Sequence, residues 1–169
     1  HSGFVAIIGR PNVGKSTLLN KIMGEKLVII SNKPQTTRNT IRCIYSQEDY
    51  QIVFIDTPGI HRPKNKLGEY MVTVAKQALD EVDVILYLVD ESMHIGAGDQ
   101  YILEILKDVK TPIFLLINKI DLLTKDELLK SISLYKDIDY IDEIIPVSAK
   151  NNENLSNLLG IIVDKIGRA

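Results

Sequence analysis

The sequence predicts a three-layer α/β domain around a mostly parallel sheet, and two observations carry that expectation. Short uninterrupted runs of Ile, Val and Leu recur along the chain, as in strands covered on both faces. Segments of helical period lie between them, as they do when crossovers return a chain to a parallel sheet. The first run is Phe4 to Ile8, and the helix beyond it stops at Gly24, a residue suited to the backbone turn that ends helices. Ile41 to Ser46 and Tyr50 to Ile55 come next, separated only by Gln47-Glu48-Asp49. A link that short joins antiparallel neighbours, so one strand runs against the rest. Leu67, Met71, Val74, Ala75, Ala78 and Leu79 then repeat at helical spacing. Val84 to Val89, Ile113 to Ile117 and Ile144 to Val147 are the remaining strands, and Leu155, Leu158, Leu159, Ile162 and Ile166 form the apolar stripe of the last helix. The expected total is about six strands and about five helices.

The 169 residues are enough for one well-buried core, and with no internal repeat or interdomain linker they are read as a single domain over 1–169. A net charge of -2 argues against a free-standing nucleic-acid binder, which needs a basic excess to neutralise phosphates. The single cysteine, Cys43, excludes an internal disulfide framework, suits a reducing cytosol and is expected to be a small buried apolar side chain. No apolar run approaches the roughly 20 residues of a membrane span. The chain opens on His1-Ser2 without an initiator Met and enters a strand almost at once. No signal peptide is visible there, and these two residues read as tag or linker.

Chemistry enters at Gly9-Arg10-Pro11-Asn12-Val13-Gly14-Lys15-Ser16, which follows a predicted strand and opens a predicted helix. In that setting the pattern is a phosphate-binding loop: glycines let backbone N–H groups turn inward, and the helix N-terminus adds its positive end. Gly9, Asn12, Val13, Gly14, Lys15, Ser16 and Thr17 are the expected nucleotide contacts. Lys15 is expected on the β- and γ-phosphates and the Ser16 hydroxyl on Mg²⁺. The bland alternative is a glycine-containing turn without a ligand, which four matching positions in the right context disfavour. Asp56-Thr57-Pro58-Gly59 closes another apolar strand. Asp56 is placed to support Mg²⁺, and the Gly59 amide can meet the γ-phosphate because no side chain blocks it.

Asn118-Lys119-Ile120-Asp121 follows the Ile113 to Ile117 strand, and Ser148-Ala149-Lys150 follows the last one. A carboxylate can accept from both guanine N1–H and the 2-amino group, a pair that adenine lacks. Asp121 is therefore the expected base reader. Asn118 ties this loop to the phosphate side, the Lys119 stem lies over the ring, and the Ala149 amide points toward guanine O6. A solvated strand-end turn is the competing reading of the first tetrapeptide alone.

In this order the motifs resemble those of the translation-factor-related GTPases over nearly the whole chain. Ser31-Asn32-Lys33-Pro34-Gln35-Thr36-Thr37-Arg38, and Asp56 through Ile60-His61-Arg62-Pro63-Lys64 with Leu67 and Met71, resemble the two switches of the Era family, in the TrmE-Era-EngA-like branch of P-loop GTPases. The resemblance implies strand order 2-3-1-4-5-6 with strand 2 antiparallel, in agreement with the hairpin. It implies slow, Mg²⁺-dependent hydrolysis of GTP to GDP and phosphate by a monomeric switch. Thr36 and Thr37 compete as the first-switch Mg²⁺ ligand, and alignment of the Thr-Thr-Arg segment favours Thr37. The glutamine that orients water in other GTPases is Ile60 here. His61 is one candidate substitute, although it reads more readily as a solvated loop residue. Asn12 offers another route, because in similar GTPases an asparagine there helps bind K⁺, so K⁺ is expected to accelerate turnover. Arg62, Lys64 and Lys66 form a basic stretch, read either as hydrated or as a nucleotide-gated contact.

Further implications concern the parent protein. They are a role in small ribosomal subunit assembly, with 16S rRNA and the 30S subunit precursor as partners through a C-terminal KH domain. That domain is expected outside these residues, which contain no KH-type Gly-x-x-Gly loop. The implied location is cytoplasmic, with peripheral contact at the inner face of the cell membrane, for which these residues hold no anchor. Two other readings remain open. One is the GTPase domain of a tRNA-modifying or other ribosome-assembly enzyme, which shares Asn12 and the Thr-Thr-Arg segment. The other is a GTP-binding structural protein that hydrolyses little.

Overall fold

Strand and helix alternate as expected: β1 (Ser2–Gly9), α1 (Lys15–Met23), β2 (Thr40–Ser46), β3 (Gln51–Asp56), α2 (Lys66–Asp80), β4 (Val84–Val89), α3 (Ala97–Leu106), β5 (Ile113–Ile117), α4 (Lys125–Tyr135), β6 (Glu143–Pro146) and α5 (Leu155–Gly167). A single 3₁₀ turn, Ile120–Leu122, lies between β5 and α4. The computed structural model describes residues 2–24, 40–56 and 66–167. All strands join one sheet in the order β2-β3-β1-β4-β5-β6, parallel except for β2 against β3.

The period-2 geometry of strands sorts the apolar side chains into two cores. Val5 and Ile7 of β1, Leu86 and Leu88 of β4, and Phe114 and Leu116 of β5 meet α1 and α5 through Leu18, Leu19, Ile22, Leu158 and Ile162. Their alternates, Ala6 and Ile8, Ile85 and Tyr87, Leu115 and Ile117, meet α2 and α3 through Ala75, Leu79, Ile102 and Leu106. Each fully buried Leu, Ile or Phe contributes about 1.5–3 kcal/mol. The central strands therefore form a packed platform, and the segments after Gly9, Val89 and Ile117 leave its C-terminal edge. No helix among the described residues is long and apolar enough to cross a membrane.

Some details differ from the sequence expectation. The hairpin link is one residue longer, because Gln47 N–H donates to the Tyr50 carbonyl at 2.8 Å and keeps Tyr50 in the turn. Its ring lies 6.2 Å from that of Tyr45. The β2 register shifts between Ile41 and Cys43, the signature of a bulge, and Cys43 is buried beside the α1 and α5 core as its apolar character suggests. β1 begins earlier than the expected Phe4, because Ser2 already stands in register with Gln51.

β1 lies between β3 and β4, so the chain moves to one side of it and then to the other. Crevices at such switch points, beyond the strands' C-terminal ends, are where α/β sheets bind ligands. Gly9, Asp56, Val89, Ile117 and Pro146 are the last residues of the five parallel strands at that edge.

Candidate functional site

The loop from Gly9 to Lys15 leaves β1 and enters α1 directly. A Cβ at Gly9 would lie 2.8 Å from the Leu88 carbonyl oxygen, so the loop departs tight against β4. Gly14 precedes α1 with φ 104 and ψ 22, a left-handed conformation suited to glycine. A Cβ there would also collide with the Asn118 Nδ2. No side chain caps α1, and its first turn carries no acidic residue. Its N-terminal amides and positive dipole end thus face the loop without an anionic side chain of the helix itself, a favourable setting for phosphate.

Two side chains after β5 grip this loop. Asn118, 2% exposed, donates from Nδ2 to the Val13 carbonyl at 2.9 Å. Its Oδ1 accepts from the Ala149 N–H at 3.0 Å. Lys119 adopts φ 64 and ψ 32 and donates from Nζ to the Asn12 carbonyl at 2.9 Å. Asn12 itself has φ 69. The sequence expects Asn118 to tie its loop to the phosphate side, and its Nδ2 bond does link it to the Gly9 to Ser16 loop at Val13. The Ala149 amide, expected toward guanine O6, is directed at Asn118 Oδ1 in this structure.

Asp121 is exposed at its cleft and accepts from the Ser148 hydroxyl at 2.7 Å, while Ser148 Oγ accepts from the Asn151 N–H at 3.2 Å. One carboxylate oxygen is thereby oriented by a fully buried serine. The base end, lined by Gly14, Thr17, Asn118, Lys119, Asp121, Leu122, Ala149 and Lys150, encloses about 330 Å³. A second cleft of about 370 Å³, lined by Asn12, Gly14, Lys15, Ser16, Thr17 and Lys119, adjoins it. Gly14, Thr17 and Lys119 line both, so the two clefts lie side by side. Lys15 donates from Nζ to the Gly9 carbonyl at 2.9 Å, which holds its charge over the loop.

Ser16, the second residue of α1, lines the cleft beside Lys15, and Asp56 ends β3, in register with Ile7 on the neighbouring β1. A hydroxyl and a carboxylate at one sheet edge are hard oxygen donors that suit Mg²⁺ beside phosphates. Thr37 and Gly59, and with them Thr36, Ile60, His61, Arg62 and Lys64, lie outside the described residues. Leu122 was not singled out in the sequence, yet it lines the base cleft while 61% exposed. Its place directly after Asp121 was the available signal. Arg10, the second residue of the loop, has its side chain anchored twice, by Asp90 and by Asp99.

This sheet order, with a phosphate loop after β1, is that of a P-loop GTPase fold. Residues 4–119 match the family model described as 50S ribosome-binding GTPase, and the chain belongs to that family. It is 60% identical over 162 residues to GTPase Era of Alkaliphilus metalliredigens (strain QYMF), covering 96% of this chain and 55% of that protein. A crystal structure of Era in complex with MgGDPNP and nucleotides 1506–1542 of 16S ribosomal RNA is similar with a TM-score of 0.77 and 40% identity, over 97% of this chain and 56% of that one. A variant of Aquifex aeolicus Era bound to GDP.AlF4- matches with the same TM-score of 0.77, 40% identity and the same coverage. The chain thus spans little more than half the length of these relatives.

Proposed function

We propose that this chain is a Mg²⁺-dependent GTP-binding and GTP-hydrolysing switch domain of the Era type. The observation that carries the reading is the pair of adjoining clefts beside which Asn118 holds the Gly9 to Ser16 loop and Ser148 orients Asp121. Asp121 accepts from guanine N1–H and the 2-amino group, and the Lys119 stem covers the ring. Lys15 exchanges the Gly9 carbonyl for the β- and γ-phosphates, with the loop amides from Asn12 to Thr17 around them. Ser16, Asp56 and Thr37 would hold Mg²⁺. When bound, that ion neutralises charge on the β- and γ-phosphate oxygens.

In the reaction, water attacks the γ-phosphorus and the bond to the β–γ bridging oxygen breaks, leaving GDP and phosphate. Thr37 and Gly59 are the residues assigned to sense the γ-phosphate, so its loss releases both switch segments. Ile60 cannot orient water. We assign the missing assistance to K⁺ held with the help of Asn12. Without assistance the turnover of such switches is on the order of 10⁻⁴ to 10⁻² per second.

For the parent protein the reading is a monomeric cytoplasmic switch in small-subunit assembly, reaching 16S rRNA and the 30S precursor through a C-terminal KH domain. The Era complex with a 16S ribosomal RNA segment supports it. Calorimetric titration with GTP and ATP is the direct test: a marked preference for GTP is expected, and equal affinities would defeat the assignment. Phosphate release in K⁺ and Na⁺ buffers checks the ion, with faster release in K⁺ as the expected outcome.

A further inference from the structure

Arg10, the second residue of the phosphate loop, has a side chain that reaches away from the loop into the fold. Its Nη2 lies 3.1 Å from Asp90 Oδ1, one residue beyond β4. Its Nε donates to Asp99 Oδ2 at 2.7 Å, in the first turn of α3. Asp99 is 2% exposed, and its second oxygen accepts from the Tyr87 hydroxyl at 2.6 Å. Tyr87 is fully buried in β4 and pairs in register with Ile8 of β1. A Cβ at Gly98 would lie 3.1 Å from Arg10 Cδ, so the arginine stem runs close along the start of α3.

The charges in this cluster are maintained. Burial works against the Arg10 guanidinium, but Asp99 and Asp90 outweigh it and hold its pKa above the ordinary value. Burial likewise pushes Asp90 up, and the Ser92 bonds and Arg10 more than reverse that. The Tyr87 phenol is pushed far up by burial and then by Asp99, so it remains a donor.

A buried ion pair is weak support for stability, because desolvation offsets the Coulomb attraction and an apolar cluster often serves as well. What this one supplies is position. The loop is held by two independent sets of tethers. Asn118 and Lys119 grip the carbonyls of Val13 and Asn12 from the base side. Asp90 and Asp99 grip Arg10 from the side of β4 and α3. Between the two sets lies Pro11, whose ring fixes φ and couples Arg10 stiffly to Asn12.

We propose that Arg10 is a positioning residue for phosphoryl transfer: clamped by Asp90 and Asp99, it fixes the leading half of the phosphate loop, and its loss slows turnover more than it weakens GDP binding. The proposal rests on the GTPase reading above. With Arg10 removed, the base-side tethers persist and still hold the loop where a bound nucleotide diphosphate needs it. Placement of the reacting groups is far less forgiving, since an error of about 1 Å can cost on the order of 10²-fold in rate.

The test is steady-state GTP hydrolysis and calorimetric GDP binding on the wild type, Arg10→Ala, Arg10→Lys, Asp99→Asn and the Arg10→Ala/Asp99→Asn double variant. For Arg10→Ala, kcat should fall about tenfold or more while the GDP Kd moves less than about threefold and KM does not rise. Arg10→Lys retains the charge without the fork between two carboxylates and should recover part of kcat. Asp99→Asn keeps the shape and the acceptor for Tyr87, so it carries the test if Arg10→Ala fails to fold. Its kcat should fall comparably, and the double variant should be no slower than the slower single one. Wild-type kcat in both Arg10→Ala and Asp99→Asn, with only a lowered melting temperature, would overturn the proposal and leave Arg10 a stabilising role. Equal losses in GDP affinity and kcat would overturn it as well, because the loop would then have shifted as a whole. Wild-type protein that turns over no GTP in K⁺ and Mg²⁺ would refute the functional reading itself, and the proposal with it, a result distinct from both.

Discussion

At the base end of the cleft, polar side chains satisfy one another before any ligand arrives. Asp121 is met by Ser148, and Asn118 by the Val13 carbonyl and the Ala149 amide. At the phosphate end, α1 begins with no side-chain cap, and the Lys15 ammonium rests on the carbonyl of its own loop. The contrast separates two tasks. On the GTPase reading proposed above, a preformed set of acceptors and donors would recognise a base at little reorganisation cost, which favours discrimination. A helix start beside a positive side chain draws its binding energy from the phosphates themselves, whatever base they carry. The two ends meet at Gly14, Val13 and Asn118.

The largest break in this contrast is Lys15→Ala. Truncating one partner of a close charge pair costs about 2–5 kcal/mol, so GTP affinity measured by calorimetry should fall on the order of 10²-fold or more. The melting temperature of the free protein should hardly change, because the half-buried Lys15 lies outside both cores. Loss of folding instead would make Lys15 part of the scaffold. Next in size is Asp121→Asn, at the opposite end. Its amide can donate to the extra carbonyl of xanthine, so GTP affinity should drop by about 2–3 kcal/mol and the preference should pass to xanthosine triphosphate. A variant that still prefers GTP would remove Asp121 as the reader. Lys15→Ala is thus expected to weaken all nucleoside triphosphates and Asp121→Asn to re-sort them.

Gly14→Ala strikes the joint between the two ends. The position has φ 104, and the added methyl would run into Asn118 Nδ2. A non-glycine residue in such a conformation costs about 1–3 kcal/mol before the clash is counted. Chemical denaturation should show a loss of about 2 kcal/mol or more, and affinity for both GTP and ATP should fall. An unchanged stability would mean that Asn118 can swing aside, and the two ends would then be less coupled than the Val13 bond suggests.

Much of this architecture was legible in the sequence, for reasons that differ by element. The strands were readable because they are buried on both faces, so Ile113 to Ile117 contains no polar interruption. Gly9 to Ser16 and Asn118 to Asp121 stand after β1 and after β5 as their motifs led one to expect, because short local spacing of this kind is visible in sequence. The hairpin end was misplaced by one residue, since the bond from Gln47 to Tyr50 leaves no trace in hydrophobic pattern. Arg10 escaped notice for a deeper reason. Its partners Asp90 and Asp99 stand 80 and 89 positions away, and only the pairing of β1 with β4 brings them together. Thr124 and Glu127 form a reciprocal capping box on α4 whose local signature was present in the sequence and was not used.

The smallest effect tests whether the base end is as self-supporting as it looks. Ser148→Ala removes the 2.7 Å bond to Asp121 and the acceptor of the Asn151 N–H. Asp121 is exposed, so its carboxylate is left to water and not stranded in an apolar site. The lost bond should therefore cost about 1 kcal/mol in GTP binding, roughly a fivefold rise in Kd. ATP affinity should stay unchanged, because adenine offers no donor pair for the loosened carboxylate. Parallel titration of both nucleotides reads the difference. Equal weakening would show that Ser148 supports the whole cleft through the turn at Asn151. No weakening of either would show that Asp121 holds its direction without the serine, and the base end would then owe its selectivity to the carboxylate alone and not to the prior ordering around it.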